Sequence, residues 1–75
     1  MRKTIGQRVR AAREHRGISQ AELARRLKAS VNAINMLEQG TIWDPRASRI
    51  IGLAQVLGVS ADYLLGLDTA PPAPP

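Results

Sequence analysis

The 75-residue chain contains no cysteine. This excludes disulfides, thiolate metal sites and a cysteine nucleophile, and it fits a reducing compartment. Phenylalanine is also absent, and Trp43 and Tyr63 are the only aromatic residues. With His15 the sole histidine, no metal or other cofactor is expected, and His15 is read as a surface residue. The serines stand at expected helix starts, Ser48 excepted, so no nucleophile is indicated and an enzyme is not expected. No apolar run approaches the roughly 20 residues of a membrane span. Met1-Arg2-Lys3 is not followed by the apolar stretch of a secretory signal. The expected location is the cytoplasm.

Charge is present, and it is one-sided. Residues 1–28 carry nine basic side chains (Arg2, Lys3, Arg8, Arg10, Arg13, Arg16, Arg25, Arg26 and Lys28) against Glu14 and Glu22, a balance of +7. Residues 29–75 carry Arg46 and Arg49 against Glu38, Asp44, Asp62 and Asp68, a balance of −2. A basic half of this kind points to a polyanion, either nucleic acid or an anionic membrane surface. The membrane surface is disfavoured, because the basic residues of the first helix surround it without a stripe of large apolar residues.

The periodicity is helical throughout, and no strand alternation occurs. Thr4 caps a first helix with Ile5, Val9 and Ala12 inward, ending at Gly17. Ser19-Gln20-Ala21-Glu22 has the S-x-x-E form of a capping box and opens a second helix carrying Leu23, Ala24 and Leu27. Ser30 caps a third that stops at Gly40. Asp44-Pro45 reads as a cap followed by proline at the first helical position, opening a fourth with Ile50, Leu53, Ala54 and Leu57. Ser60 caps a fifth with Tyr63, Leu64 and Leu65, closing at Gly66. The expected architecture is all-α: one compact five-helix domain over residues 1–67. A proline-rich tail or linker follows over 68–75, and it can lead to a further domain or a protein partner.

The third helix is unusual. Ala33, Ile34 and Leu37 share one face, while Asn32, Asn35, Met36 and Gln39 fall at i, i+3, i+4 and i+7 on the other. Surface helices usually carry Lys and Glu there; this one offers amides and a thioether. The second and third helices, joined by a turn at Lys28–Ser30, have the form of a helix-turn-helix pair, with the small Ala24 at the crossing.

"RVRAAREHRGISQAELARRLKASVNAINMLEQG", followed by Pro45 and "LAQVLGVSADYLLG", resembles the Cro/phage-repressor (XRE) family of helix-turn-helix proteins. The resemblance covers residues 5–67, and "SQAELA", "I-x-x-LE-x-G" and "LA-x-x-LGVS-x-x-LL" are its most specific elements. It implies a repressor-like, sequence-specific regulator of transcription. Such a protein would bind double-stranded DNA at a palindromic operator as a homodimer, on the nucleoid. By position, Val31, Asn32, Asn35 and Met36 would reach base edges, and Gln20, Lys28, Gln39 and Arg46 phosphates. Arg13 and Glu38 would form a structural ion pair. Val59, Tyr63, Leu64 and Leu67 would contribute to a subunit contact. Asn suits adenine, offering a donor and an acceptor to N7 and N6, and Val31 suits a thymine methyl.

The pattern is not followed everywhere. Relatives often have glycine where Lys28 stands; either the lysine is left-handed, at a cost of roughly 1–2 kcal/mol, or the chain takes another turn there with the lysine reaching phosphate. Arg, Gln or Lys commonly occupy the reading face, whereas Val31 and Met36 are shorter or apolar. Asp44, in a loop often basic in relatives, reads as a cap facing away from phosphate. Trp43 either closes the edge of the core or meets DNA backbone or a second subunit. The alternative function is that of an antitoxin-like or adaptor protein whose main partner is another protein.

Overall fold

The computed structural model describes residues 4–41 and 46–67 and contains five α-helices over them. They are α1 (Ile5–Arg16), α2 (Gln20–Leu27), α3 (Val31–Gln39), α4 (Ala47–Leu57) and α5 (Ala61–Leu65). The all-α, five-helix expectation holds. So do the starts at Thr4, Ser19, Ser30 and Ser60, each of whose hydroxyls accepts a backbone N–H three residues on. These hydroxyls satisfy donors that have no partner inside the helix.

Two local expectations change. At Ser19 the capping box is only half formed, because the Glu22 carboxylate turns to Arg25 and Arg26 instead of the backbone N–H of Ser19. The complete box is at α1, where Gln7 N donates to Thr4 Oγ1 and Thr4 N to Gln7 Oε1. α4 begins at Ala47, with Arg46 as its N-cap and no side-chain capping bond. Arg46 has extended backbone (ψ 150°). Ile42, Trp43, Asp44 and Pro45 lie outside the described residues.

The core is one cluster of Val9, Ala12, Leu23, Ala24, Ile34, Leu37, Leu53, Leu57, Tyr63 and Leu64. α1 packs on α3, α4 and α5, and α2 packs on α3 and α4. Leu65, on the same short helix as Tyr63 and Leu64, is exposed. Gly6 lets α1 approach the end of α3: a Cβ there would stand 2.0 Å from the Leu37 carbonyl oxygen. Gly6 stands in the first turn of α1, where its missing Cβ permits the contact that seats α3.

Candidate nucleic-acid interface

The α2–turn–α3 unit is defined at both ends by its caps. α2 closes at Lys28, the only non-glycine residue with positive φ among those described (φ 56°, ψ 41°). Lys28 N donates to Arg25 O and Ala29 N to Ala24 O, closing the helix as a left-handed glycine would. The backbone then becomes extended at Ser30 and α3 starts. The departure noted at Lys28 is therefore met by strain and not by a different turn.

Between α1 and α3 lies the Arg13–Glu38 pair. Arg13 Nε donates to Glu38 Oε2 at 2.7 Å and Nη2 to Oε1 at 3.1 Å, while Nη1 donates to the Ile18 carbonyl at 2.9 Å. The Glu38 side chain is 3% exposed. Its hydrogen bonds to Arg13 raise the guanidinium pKa above its ordinary value. A carboxylate on the inner side of α3 is tolerable only because its oxygens are filled by donors. Gln20 Nε2 is a third donor to it, at 3.1 Å from Oε1.

That last contact was not anticipated. Gln20, expected at a phosphate, has its NH2 group directed at Glu38 and, at 3.5 Å, at Asn35 Oδ1. As placed, what α2 has left for an anion at this point is the backbone N–H groups of its first turn. Nothing in the spacing of Gln20, Asn35 and Glu38 announced the contact, since it depends on how two helices cross.

On the outer face of α3, Val31 is 47% and Met36 38% exposed. Asn32 and Gln39 are exposed and Asn35 is half-buried. The four expected base-contacting residues and Gln39 thus line one helix. Asn32 Nδ2 donates to Met36 Sδ at 3.5 Å, and Gln39 Nε2 to Asn35 Oδ1 at 3.4 Å. Ile34 and Leu37 are buried behind this face.

Positive charge lies to one side. Arg26, Lys28, Ser48, Arg49, Leu27 and Gly52 line an open concavity of about 350 Å³ between the end of α2 and the start of α4, close to Arg46 in sequence. Sequence spacing does not single out Arg49, because its register on α4 depends on where that helix starts. Of the residues expected at a subunit contact, Tyr63 (9% exposed) and Leu64 (0%) are part of the chain's own core, and the Arg8 guanidinium lies 5.4 Å from the Tyr63 ring centroid. Val59 is half-buried. Leu67 is 76% exposed, and Leu65 and Ile51 are further exposed apolar residues.

Comparison with known proteins places this geometry. The crystal structure of the P22 c2 repressor protein in complex with synthetic operator 9T in the presence of Tl+ matches with a TM-score of 0.81 at 33% identity, covering 89% of this chain and all of that one. The solution structure of the DNA-binding domain of the P22 c2 repressor, residues 1–76, matches with a TM-score of 0.81 at 31% identity, covering 95% of this chain and 96% of that one. In sequence, the HTH-type transcriptional regulator ImmR of Bacillus subtilis (strain 168) is 34% identical over 65 residues, or 87% of this chain. The chain spans about half the length of that relative (50%). A profile of the helix-turn-helix domain family matches residues 6–67. With its capped α2–turn–α3 unit and repressor-like five-helix frame, the chain belongs to the helix-turn-helix domain family, in its Cro/phage-repressor branch.

Proposed function

We propose that this chain is the sequence-specific double-stranded-DNA-binding domain of a transcriptional repressor, and that it binds a palindromic operator as a dimer with α3 in the major groove. The observation that carries the reading is the outer face of α3. It is exposed, uncharged and rich in amides, while its helix is clamped from behind by Arg13 and Glu38. A face of this composition gains little from water that Lys and Glu would not supply better. It does match base edges, where amide donors and acceptors and apolar contacts distinguish one pair from another. Lys28, Arg46 and Arg49 would follow the phosphates and fix the register. The P22 c2 repressor has been seen on an operator, and the shared frame supports the same use here.

The test compares two variants on cognate and scrambled duplexes at two salt concentrations. Asn32→Ala should weaken cognate binding by about 1–3 kcal/mol and relax discrimination at one A·T pair. Arg46→Ala should weaken both duplexes alike and reduce the slope of log K against log salt by about one. Equal weakening of both duplexes by Asn32→Ala would remove sequence readout from this helix. A binding constant insensitive to salt would favour the adaptor reading instead.

A further inference from the structure

The side-chain amides on α3 are not free to point either way. Which end of an amide is oxygen and which is nitrogen is set by its neighbours, and here the neighbours form a chain with a fixed starting point. Glu38 is a carboxylate filled by the Arg13 guanidinium, so whatever else touches it must donate. Gln20 touches it at 3.1 Å and therefore turns its NH2 group inward. The same nitrogen lies 3.5 Å from Asn35, so the Asn35 atom facing it must accept and is Oδ1. Gln39 Nε2 approaches that same oxygen at 3.4 Å from the other side. Each of the last two contacts is long and individually weak. The orientation is decided at Gln20, whose NH2 group is held by Glu38: a reversed Asn35 would set its own NH2 group against it, whereas Gln39 can follow either way.

We propose that the buried Arg13–Glu38 pair acts through Gln20, a positioning residue, to hold Asn35 with its carbonyl turned inward, so that Asn35 presents donors alone to the DNA and selects guanine. The inference rests on the reading of α3 as the groove helix. Guanine shows two adjacent acceptors, N7 and O6, in the major groove, whereas adenine shows an acceptor beside a donor. An amide with only its NH2 group outward suits the first and meets a donor with a donor at the second. Asn32 differs. Its one side-chain bond is the donation from Nδ2 to the Met36 sulfur, and its Oδ1 has no partner among the described residues. Asn32 keeps both an acceptor and a second N–H for adenine. Two asparagines three residues apart would then read different bases, although the side chains are the same.

The experiment is selection of bound duplexes from a random pool by the wild-type chain, Asn35→Ala, Gln20→Leu and Gln39→Ala, each first checked for helical content and melting. The wild type is expected to favour guanine over adenine by about tenfold at the position that Asn35→Ala relaxes. Gln20→Leu frees the Asn35 amide to turn over, and the preference should fall to within about twofold at that position alone. Gln39→Ala, which removes an amide that only follows Asn35, should leave it nearly unchanged. Adenine at the Asn35 position, or a guanine preference untouched by Gln20→Leu, overturns the inference and leaves the proposed function standing. Absence of any sequence preference in the wild type overturns the proposed function itself. A readout without DNA separates the two. In the free chain the Asn35 NH2 protons should exchange with water as an exposed amide does, and those of Gln20 more slowly; the reverse order overturns the orientation.

Discussion

At the scale of single residues, the backbone of Lys28 and the charge of Glu22 each lead to a measurable outcome. Lys28 sits at φ 56° with a Cβ that glycine would lack. Lys28→Gly should raise stability by at most about 1–2 kcal/mol, the strain of a left-handed residue less the extra freedom glycine has when unfolded. Chemical denaturation would read it, and a loss of stability would show that the lysine stem packs usefully on α4. Glu22 is half-buried and shared by Arg25 and Arg26, whose hydrogen bonds lower its pKa from an ordinary 4.5 to about 2. A depressed carboxylate contributes stability above its unfolded pKa and loses it as pH falls through the folded value. The melting-temperature difference between wild type and Glu22→Gln should therefore be full above about pH 4.5, disappear by pH 2, and shrink in high salt. Of these details the sequence shows the lysine where relatives have glycine. It does not show the redirection of Glu22, because an S-x-x-E pattern leaves open whether the glutamate turns to the backbone or to arginines three and four residues on.

At the scale of elements, helix existence and the inward faces are legible because capping hydroxyls and left-handed glycines mark the ends of short helices. The start of α4 is less legible. Proline at a first helical position is a preference, and an extended Arg46 moves the helix on to Ala47. Contacts between elements are the least legible, as Gly6 against Leu37 and Gln20 against Glu38 both show. The Arg13–Glu38 pair was expected only through resemblance, and the structure gives it a mechanical role in tying α1 to α3. Arg13→Met should cost about 3–5 kcal/mol, because the Glu38 carboxylate would stay buried without its guanidinium. The double variant Arg13→Met/Glu38→Leu should recover much of that loss. Thermal melts of the singles and the double would measure the coupling, and an unchanged melting temperature for Arg13→Met would remove the pair from the stability account.

At the scale of the molecule, the relevant length is a turn of DNA. The described backbone measures 28 × 27 × 21 Å. Once a layer of side chains is added, two touching copies have centres roughly one duplex turn apart, about 34 Å. With Tyr63 and Leu64 committed to the core, the apolar surface left for such a contact is Leu67, Leu65 and Ile51, together with half-buried Val59. If the proposed dimer uses them, three exposed side chains would make only a small interface, too small to hold two copies together in dilute solution without DNA. Leu67→Asp should leave the melting temperature of the free chain nearly unchanged, because the residue is 76% exposed. It should nevertheless weaken cooperative occupancy of a palindrome while sparing a half-site. Gel-shift titrations on whole and half operators would separate the two, and equal effects on both would place the subunit contact elsewhere.

The contact between Gly6 and Leu37 has a consequence for heredity. Every amino acid other than glycine carries a Cβ, and at position 6 that atom would fall 2.0 Å from a carbonyl oxygen in the helix that the rest of the molecule serves to hold. The genetic code therefore offers codon 6 no conservative neighbour: each missense change, whatever its polarity or size, introduces the same atom at the same place. Lineages that keep α3 seated in this way can drift at this codon only through synonymous change, while Lys28, where glycine would also fit, stays open to replacement.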